Sequence, residues 1–169
     1  MSHYDVIRQF GKLLQNLSTW LDKAEAHAKA KKFEADLLAG ARLAPDAYCL
    51  AQQVQSACDT AKFAAAYLST RKAPAHPDTE KTLAELRQRV QSCNGFLASV
   101  EAKDFAGSDE RKVAPPWMGG KWFRGDDYLA VVAIPNFYFH VTMAYAILRH
   151  NGVELGKMDF IGEMPAREG

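Results

Sequence analysis

The strongest constraint in this sequence is a helical repeat of apolar residues. Over residues 3–32 the apolar positions recur at steps of three and four, at Val6, Phe10, Leu13, Leu17, Leu21, Ala24 and Ala28. Such steps place the side chains on one stripe of an α-helix, because the helix has about 3.6 residues per turn. Similar stripes run from about Ala47 to Leu68, from Leu83 to Val100 and from Phe137 to Leu148. The pattern of apolar residues therefore predicts four long amphipathic helices.

Boundary signals lie between these stripes. Asp46, directly after Pro45, is a candidate N-cap of the second helix, and Asp78 with Glu80 places negative charge at the start of the third. Pro135 lies inside the last helical pattern, where we expect a kink or a restart. Asn151-Gly152 then predicts the end of that helix.

A segment before the last helix departs from the helical pattern. Gly119-Gly120 stands between two aromatic arms that contain Trp117 and Trp122. Two adjacent glycines suit the positive φ values of a two-residue turn, so we predict a β-hairpin with the two tryptophans facing each other. A plain glycine loop is the alternative.

The predicted architecture is mainly α: a four-helix bundle with a small β-hairpin before the last long helix. We expect residues 1–169 to form a single domain, since this length is usual for one domain and no long linker interrupts the sequence.

Charge and cysteine content limit the possible partners. Lys plus Arg number 21 and Asp plus Glu number 20, so no overall field favours nucleic acid or an anionic membrane. Three cysteines without a CxxC pair fit reduced thiols better than a disulfide framework. The first twenty residues lack the apolar run of a signal peptide, and the run Leu129–Ile134 is too short to cross a bilayer. We predict a cytoplasmic protein that binds neither nucleic acid nor a membrane.

Several stretches resemble one bacterial family. They are Pro135-Asn136-Phe137-Tyr138-Phe139-His140-Val141-Thr142, Ala144-Tyr145, Ile147 to Val153, Ala41 to Asp46, and Gln53-Val54-Gln55 with Asp59 and Lys62. Together they resemble an uncharacterised bacterial family, a domain of unknown function that is grouped with the DinB/YfiT-like superfamily. The resemblance covers nearly the whole chain.

The resemblance implies a DinB-like four-helix bundle that often forms a homodimer. It also implies a candidate metalloenzyme site, because better-known superfamily members bind a divalent metal through three histidines. One of these histidines lies on the second helix and two lie four residues apart on the last. Some members are thiol transferases or thiol-dependent isomerases.

This sequence departs from that pattern. The pair four residues apart is Asn136 and His140, and the second helix has no histidine but offers Gln53 and Asp59. A set of Gln, Asn and His would bind a transition metal weakly. Asp59, Asn136 and His140 would bind zinc or nickel somewhat better, but only if Asp59 points inward, and Lys62 competes for its carboxylate. A divalent metal stays open as a cofactor.

His140 has two interpretations. A single histidine on an aromatic helix face is often a core residue with satisfied hydrogen bonds. Its near-neutral pKa also makes it the best general acid or base available. We take His140, Asn136, Gln53, Asp59 and Tyr145 as the candidate ligand-binding residues.

Three functions compete. The first is a binding module that holds a small molecule, with weak metal or none, in a pocket between the second and last helices. The second is a metal- or thiol-dependent enzyme. The third is a homodimeric structural or interaction protein with an exposed apolar patch near Trp117 and Trp122.

Overall fold

The computed structural model of the chain describes residues 1–166, so the last three residues of the predicted domain lie outside the described part. Four long helices form a bundle: α1 (His3–Lys31), α2 (Leu50–Ser69), α3 (Leu83–Ser99) and α4 (Gly125–His150). A short helix, α5 (Lys157–Ile161), follows. Helix α1 packs against α3 and α4, and α2 packs against α3 and α4. The mainly α bundle predicted from the sequence is confirmed.

Helix α1 follows its sequence pattern closely. Ser2 accepts a hydrogen bond from the Asp5 backbone N–H at 3.2 Å, and the Asp5 carboxylate accepts one from the Ser2 N–H at 2.9 Å. This reciprocal cap satisfies two backbone donors that a helix start leaves free. The buried stripe includes Phe10, which stacks on Phe137 of α4 at 4.1 Å between ring centroids. The apolar stripe of α1 therefore forms one wall of the bundle core.

Helix α2 begins three residues later than the sequence suggested. Its N-cap is Cys49, whose backbone N–H donates to the Gln52 side chain at 3.0 Å, so the predicted cap at Asp46 is wrong. The alanine stripe of α2 is buried, with Ala57, Ala61 and Ala64 fully covered. Small side chains of this kind allow neighbouring helices to approach closely.

Helix α3 also has a different start. Thr82 is the N-cap, and its hydroxyl accepts from the Glu85 N–H at 3.1 Å. The predicted role of Asp78 and Glu80 at this helix start is wrong, because both carboxylates instead pair with the Arg89 side chain.

The predicted hairpin exists with a wider connection. Strands β1 (Lys112–Val113) and β2 (Phe123–Arg124) are antiparallel and pair Lys112 with Arg124 and Val113 with Phe123. The connection contains a 3₁₀ turn and has Gly119 and Gly120 at positive φ. A two-residue turn is therefore wrong, and so is the facing tryptophan pair: Trp117 packs against Phe123, whereas Trp122 lies under the Lys112 ammonium.

Gly125 joins the hairpin to α4 at a close approach. A Cβ at this position would lie 1.7 Å from the Ser108 carbonyl oxygen, so only glycine fits. Helix α4 then contains a π-helical segment, Leu129–Ala133, in which the Ile134 N–H donates to the Leu129 carbonyl. Pro135 follows at once and has no N–H to continue the α pattern. The kink or restart expected at Pro135 thus takes the form of a local widening in a continuous helix.

The chain closes with α5 lying on α1. Phe160 stacks on Trp20 with centroids 5.6 Å apart, and the Trp20 indole N–H donates to the Asp159 carbonyl at 3.1 Å. In the described part of the chain, α4 is the one helix long and apolar enough to cross a membrane by length and composition alone. Core helices of globular proteins meet the same criterion, and the predicted absence of membrane binding stays a prediction.

Candidate functional site: an aromatic cavity between α2 and α4

A cavity of about 690 Å³ lies between α2, α4 and the hairpin connection. We call it the aromatic cavity, because five of its twelve lining residues are aromatic: Tyr48, Phe63, Tyr67, Trp117 and Tyr128. Its polar lining residues are Ser56, Asp59, Thr60, Asn136 and His140. Pockets for small molecules commonly combine an apolar wall with a few polar groups in this way.

The cavity wall from α4 depends on the π-helical segment. Tyr128, Val132, Asn136 and His140 follow one another at steps of four. In a regular helix of 3.6 residues per turn, such steps would drift around the axis. The wider turn at Leu129–Ala133 reduces that drift, so all four side chains line one cavity.

His140 lines the aromatic cavity and has 8% of its surface exposed. Its Nδ1 lies 2.8 Å from the Gln53 Oε1, and the Gln53 amide nitrogen donates to the Tyr48 carbonyl at 3.3 Å. The second bond fixes the orientation of the Gln53 amide, so Oε1 is the acceptor and Nδ1 carries the proton.

The other nitrogen of His140 is therefore the acceptor in the neutral ring. No partner for Nε2 occurs among residues 1–166, and burial lowers the pKa of the imidazole. A neutral histidine whose second nitrogen bears a free lone pair can accept a hydrogen bond or a proton from a bound molecule.

Asn136 lies one turn before His140, and its amide is also oriented. The Thr60 hydroxyl donates to the Ser56 carbonyl at 2.7 Å, so it accepts from the Asn136 Nδ2 at 2.7 Å. The Asn136 Oδ1 is left as a second acceptor on the helix face that carries His140.

Asp59 lies at the rim and belongs to an ion-pair network. Its carboxylate contacts the Lys62 ammonium at 2.7 Å and the Arg89 guanidinium at 2.5 Å. Arg89 also pairs with Asp78 and Glu80, each at 3.0 Å. Lys62 therefore binds the Asp59 carboxylate, as expected from the sequence. Arg89 is the partner that sequence reasoning missed, because it lies 30 residues away on α3.

The metal set suggested by the resemblance does not fit this geometry. The Asp59 carboxylate is held by two cations, and the Asn136 amide nitrogen is directed to Thr60. Among the residues that the structure describes, no group of three His, Cys, Asp or Glu side chains could hold a metal ion. Asp59, Asn136 and His140 do share one cavity, but as separately engaged groups.

Two other candidates lie behind or away from the cavity. Gln53 is buried at 1% exposure and orients His140 without lining the cavity. Tyr145 packs edge-on against Trp20 and donates to the Leu155 carbonyl at 3.4 Å, on the side of α4 that faces α1 and α5. The structure therefore does not bring Tyr145 to the site.

The deep end of the cavity contains two tyrosines that the sequence did not single out. Tyr67 and Tyr128 meet edge-to-face at 5.7 Å, and burial raises the pKa of both phenols. Both are therefore neutral hydroxyls near pH 7. A second stripe on α2, formed by Ser56, Asp59, Thr60, Phe63 and Tyr67, was the available signal.

Comparisons with known proteins place these observations in a family context. Residues 3–161 match the model of a family described as a domain of unknown function (DUF1993). The chain is similar to the crystal structure of a DinB family member protein from Shewanella denitrificans, with 47% identity and a TM-score of 0.94. That match covers 98% of this chain and 95% of the other. No curated protein matches the chain.

Proposed function

The chain belongs to the DUF1993 family of DinB-like helical proteins, and from that premise we propose that its aromatic cavity binds a small, largely apolar molecule carrying a hydrogen-bond donor. The observation that carries the proposal is that His140 lines an aromatic cavity of about 690 Å³ while its Nδ1 is held by Gln53, which leaves Nε2 as the acceptor. This volume lies within the range of about 300–1,000 Å³ that small-molecule sites occupy.

Orientation of the polar groups supports binding. A polar group that faces a cavity costs little while water reaches it, and it gives specificity when a ligand replaces that water. Gln53 and Thr60 fix the His140 ring and the Asn136 amide before any ligand arrives. Preorganisation of this kind lowers the entropy cost of binding.

A pair of isomers tests the proposal. Phenethyl alcohol and benzyl methyl ether have the same molecular formula. The alcohol has a hydroxyl group that can donate a hydrogen bond, whereas the ether has no donor. We expect NMR titration to give tighter binding of the alcohol to the wild-type protein. In His140→Asn the shorter amide can still donate to Gln53, but Nε2 is gone, so the preference should be reduced severalfold. His150→Asn, at an exposed helix end, is the matched control. Failure of both isomers to bind the cavity would overturn the proposal.

A metal- or thiol-dependent enzyme is the second candidate. The observation that favours it is again His140, since metal-ligating histidines also hold their second nitrogen on a fixed partner. The donor set argues against a resident metal, and Cys58 and Cys93 are buried against each other in the core. Elemental analysis of protein purified without added metal should find far less than one equivalent of zinc or nickel. One equivalent that is lost in His140→Ala but kept in His150→Ala would favour the enzyme.

A further inference from the structure

We propose that the ligand of the aromatic cavity is an organic cation, an ammonium group attached to an apolar body. This inference rests on the proposed function and specifies the charge of the ligand. Three independent features of the cavity support it: its aromatic walls, the charges around it, and the type of hydrogen-bonding group that it offers.

Aromatic side chains line the cavity from its exposed to its buried end, and the Lys62 ammonium lies 4.9 Å from the centroid of the Phe63 ring. Trp117 and Tyr48 are 66% and 52% exposed at the mouth, whereas Tyr128 is 4% exposed at the deep end. Phe63 stacks on Tyr67 at 6.0 Å, and Tyr67 in turn meets Tyr128. The face of an aromatic ring carries partial negative charge, so a box of such rings attracts a cation that has lost part of its water.

The charged side chains around the cavity are mainly negative, which suits a positively charged ligand. Among residues 1–166, no Lys or Arg lines the cavity, and Asp59 is the one acidic lining residue. Behind it, within residues 1–166, the carboxylates of Asp59, Asp78 and Glu80 form ion pairs with two cations, Lys62 and Arg89. Three negative groups against two positive ones leave a net negative charge at this rim, which favours a cation over an anion.

Two polar side chains of α4 present acceptors to the cavity. His140 offers the Nε2 lone pair and Asn136 offers Oδ1, because Gln53 and Thr60 already engage the opposite atom of each group. An ammonium N–H can donate to either acceptor. An ionised carboxylate has no donor, so its oxygens would face lone pairs. The charge at the rim and these two acceptors therefore favour a cation over an anion.

Three probes of similar shape but different charge test this proposal at constant ionic strength. The probes are phenethylammonium, phenethyl alcohol and phenylacetate, and dissociation constants come from NMR titration of the wild-type protein near pH 7.5. We expect the ammonium to bind about tenfold more tightly than the alcohol, as a partly desolvated cation–π contact implies. Phenylacetate should bind least.

Two exposed tryptophans provide the matched variants. Trp117 lines the cavity, whereas Trp122 is 51% exposed beneath Lys112 and lies outside it. Trp117→Leu should reduce the preference for the ammonium over the alcohol severalfold, and Trp122→Leu should retain it. Both side chains are exposed, so neither change removes core packing.

The possible outcomes separate this inference from the proposed function. Equal binding of the alcohol and the ammonium, or tighter binding of phenylacetate, overturns the cation proposal while binding in the cavity stands. Loss of the preference in Trp122→Leu but not in Trp117→Leu overturns it as well, because the cation would then lie elsewhere. Failure of all three probes overturns both.

Discussion

At the scale of single residues, His140 connects the fold to the site. Two hydrogen bonds in series, from His140 to Gln53 and from Gln53 to the Tyr48 carbonyl, determine which ring nitrogen carries the proton. The sequence placed His140, Asn136, Gln53 and Asp59 in one region because helical register is regular. It could not tell that Gln53 supports the ring from behind, since that depends on rotamers.

Burial of His140 makes stability depend on pH. Its folded pKa lies below the ordinary value of about 6.5, so the unfolded chain binds more protons between the two values. The stability that the neutral His140 ring contributes is therefore fully present above about pH 6.5, and it is lost as the pH falls toward the folded pKa. His76, whose pKa is lowered by burial, Lys62 and Arg89, acts in the same direction.

Urea unfolding at pH 7.5 and pH 5.5 measures this dependence. We expect the wild-type protein to lose stability at the lower pH and His140→Asn to lose less. His150→Asn should behave like the wild type. A loss in His140→Asn as large as that of the wild type would show that the ring titrates normally.

At the scale of elements, capping and helix geometry separate what the sequence could predict from what it could not. Periodicity located all four long helices, because apolar stripes must face a core. The starts of α2 and α3 were missed, since Cys49 and Thr82 compete with nearby acidic residues for the cap position. The tertiary partner Arg89 draws Asp78 and Glu80 away from that role.

The Arg89 network anchors the loop between α2 and α3. The Arg89 side chain is fully buried, and it joins Asp59 of α2 to Asp78 and Glu80 of the loop. Arg89→Met should lower the free energy of unfolding by about 2 kcal/mol. This loss is smaller than the usual cost of breaking a buried salt bridge, because the carboxylates left without a partner are partly exposed to water.

Denaturant unfolding and hydrogen exchange test this role together. Exchange should become faster in residues 70–82 of Arg89→Met. Lys103→Met, which removes an exposed pair with Glu101, is the control and should leave both measurements unchanged. Unchanged exchange in the loop of Arg89→Met would contradict the anchoring role.

At the scale of the whole molecule, the homodimer implied by the resemblance stays a prediction. Helix α4 presents Val131 and Phe139 to solvent at 64% and 56% exposure, on a face that no described element covers. We expect light scattering after size exclusion to give twice the 18.7 kDa mass of the chain. The double change Val131→Asp and Phe139→Asp should give monomers.

The control for this prediction is another exposed apolar residue. Leu37 is 69% exposed in the 3₁₀ turn after α1, so Leu37→Asp should leave the dimer intact. A wild-type protein that elutes as a monomer at every concentration would contradict the predicted dimer.

The ¹⁵N shifts of the His140 ring test the central claim most directly. In the free protein near pH 7.5, we expect Nδ1 to have the shift of a protonated nitrogen and Nε2 that of a nitrogen with a free lone pair. Addition of phenethylammonium should move the Nε2 signal toward the shift of a hydrogen-bonded nitrogen. A proton on Nε2 in the free protein, or an Nε2 signal that no probe perturbs, would contradict the account.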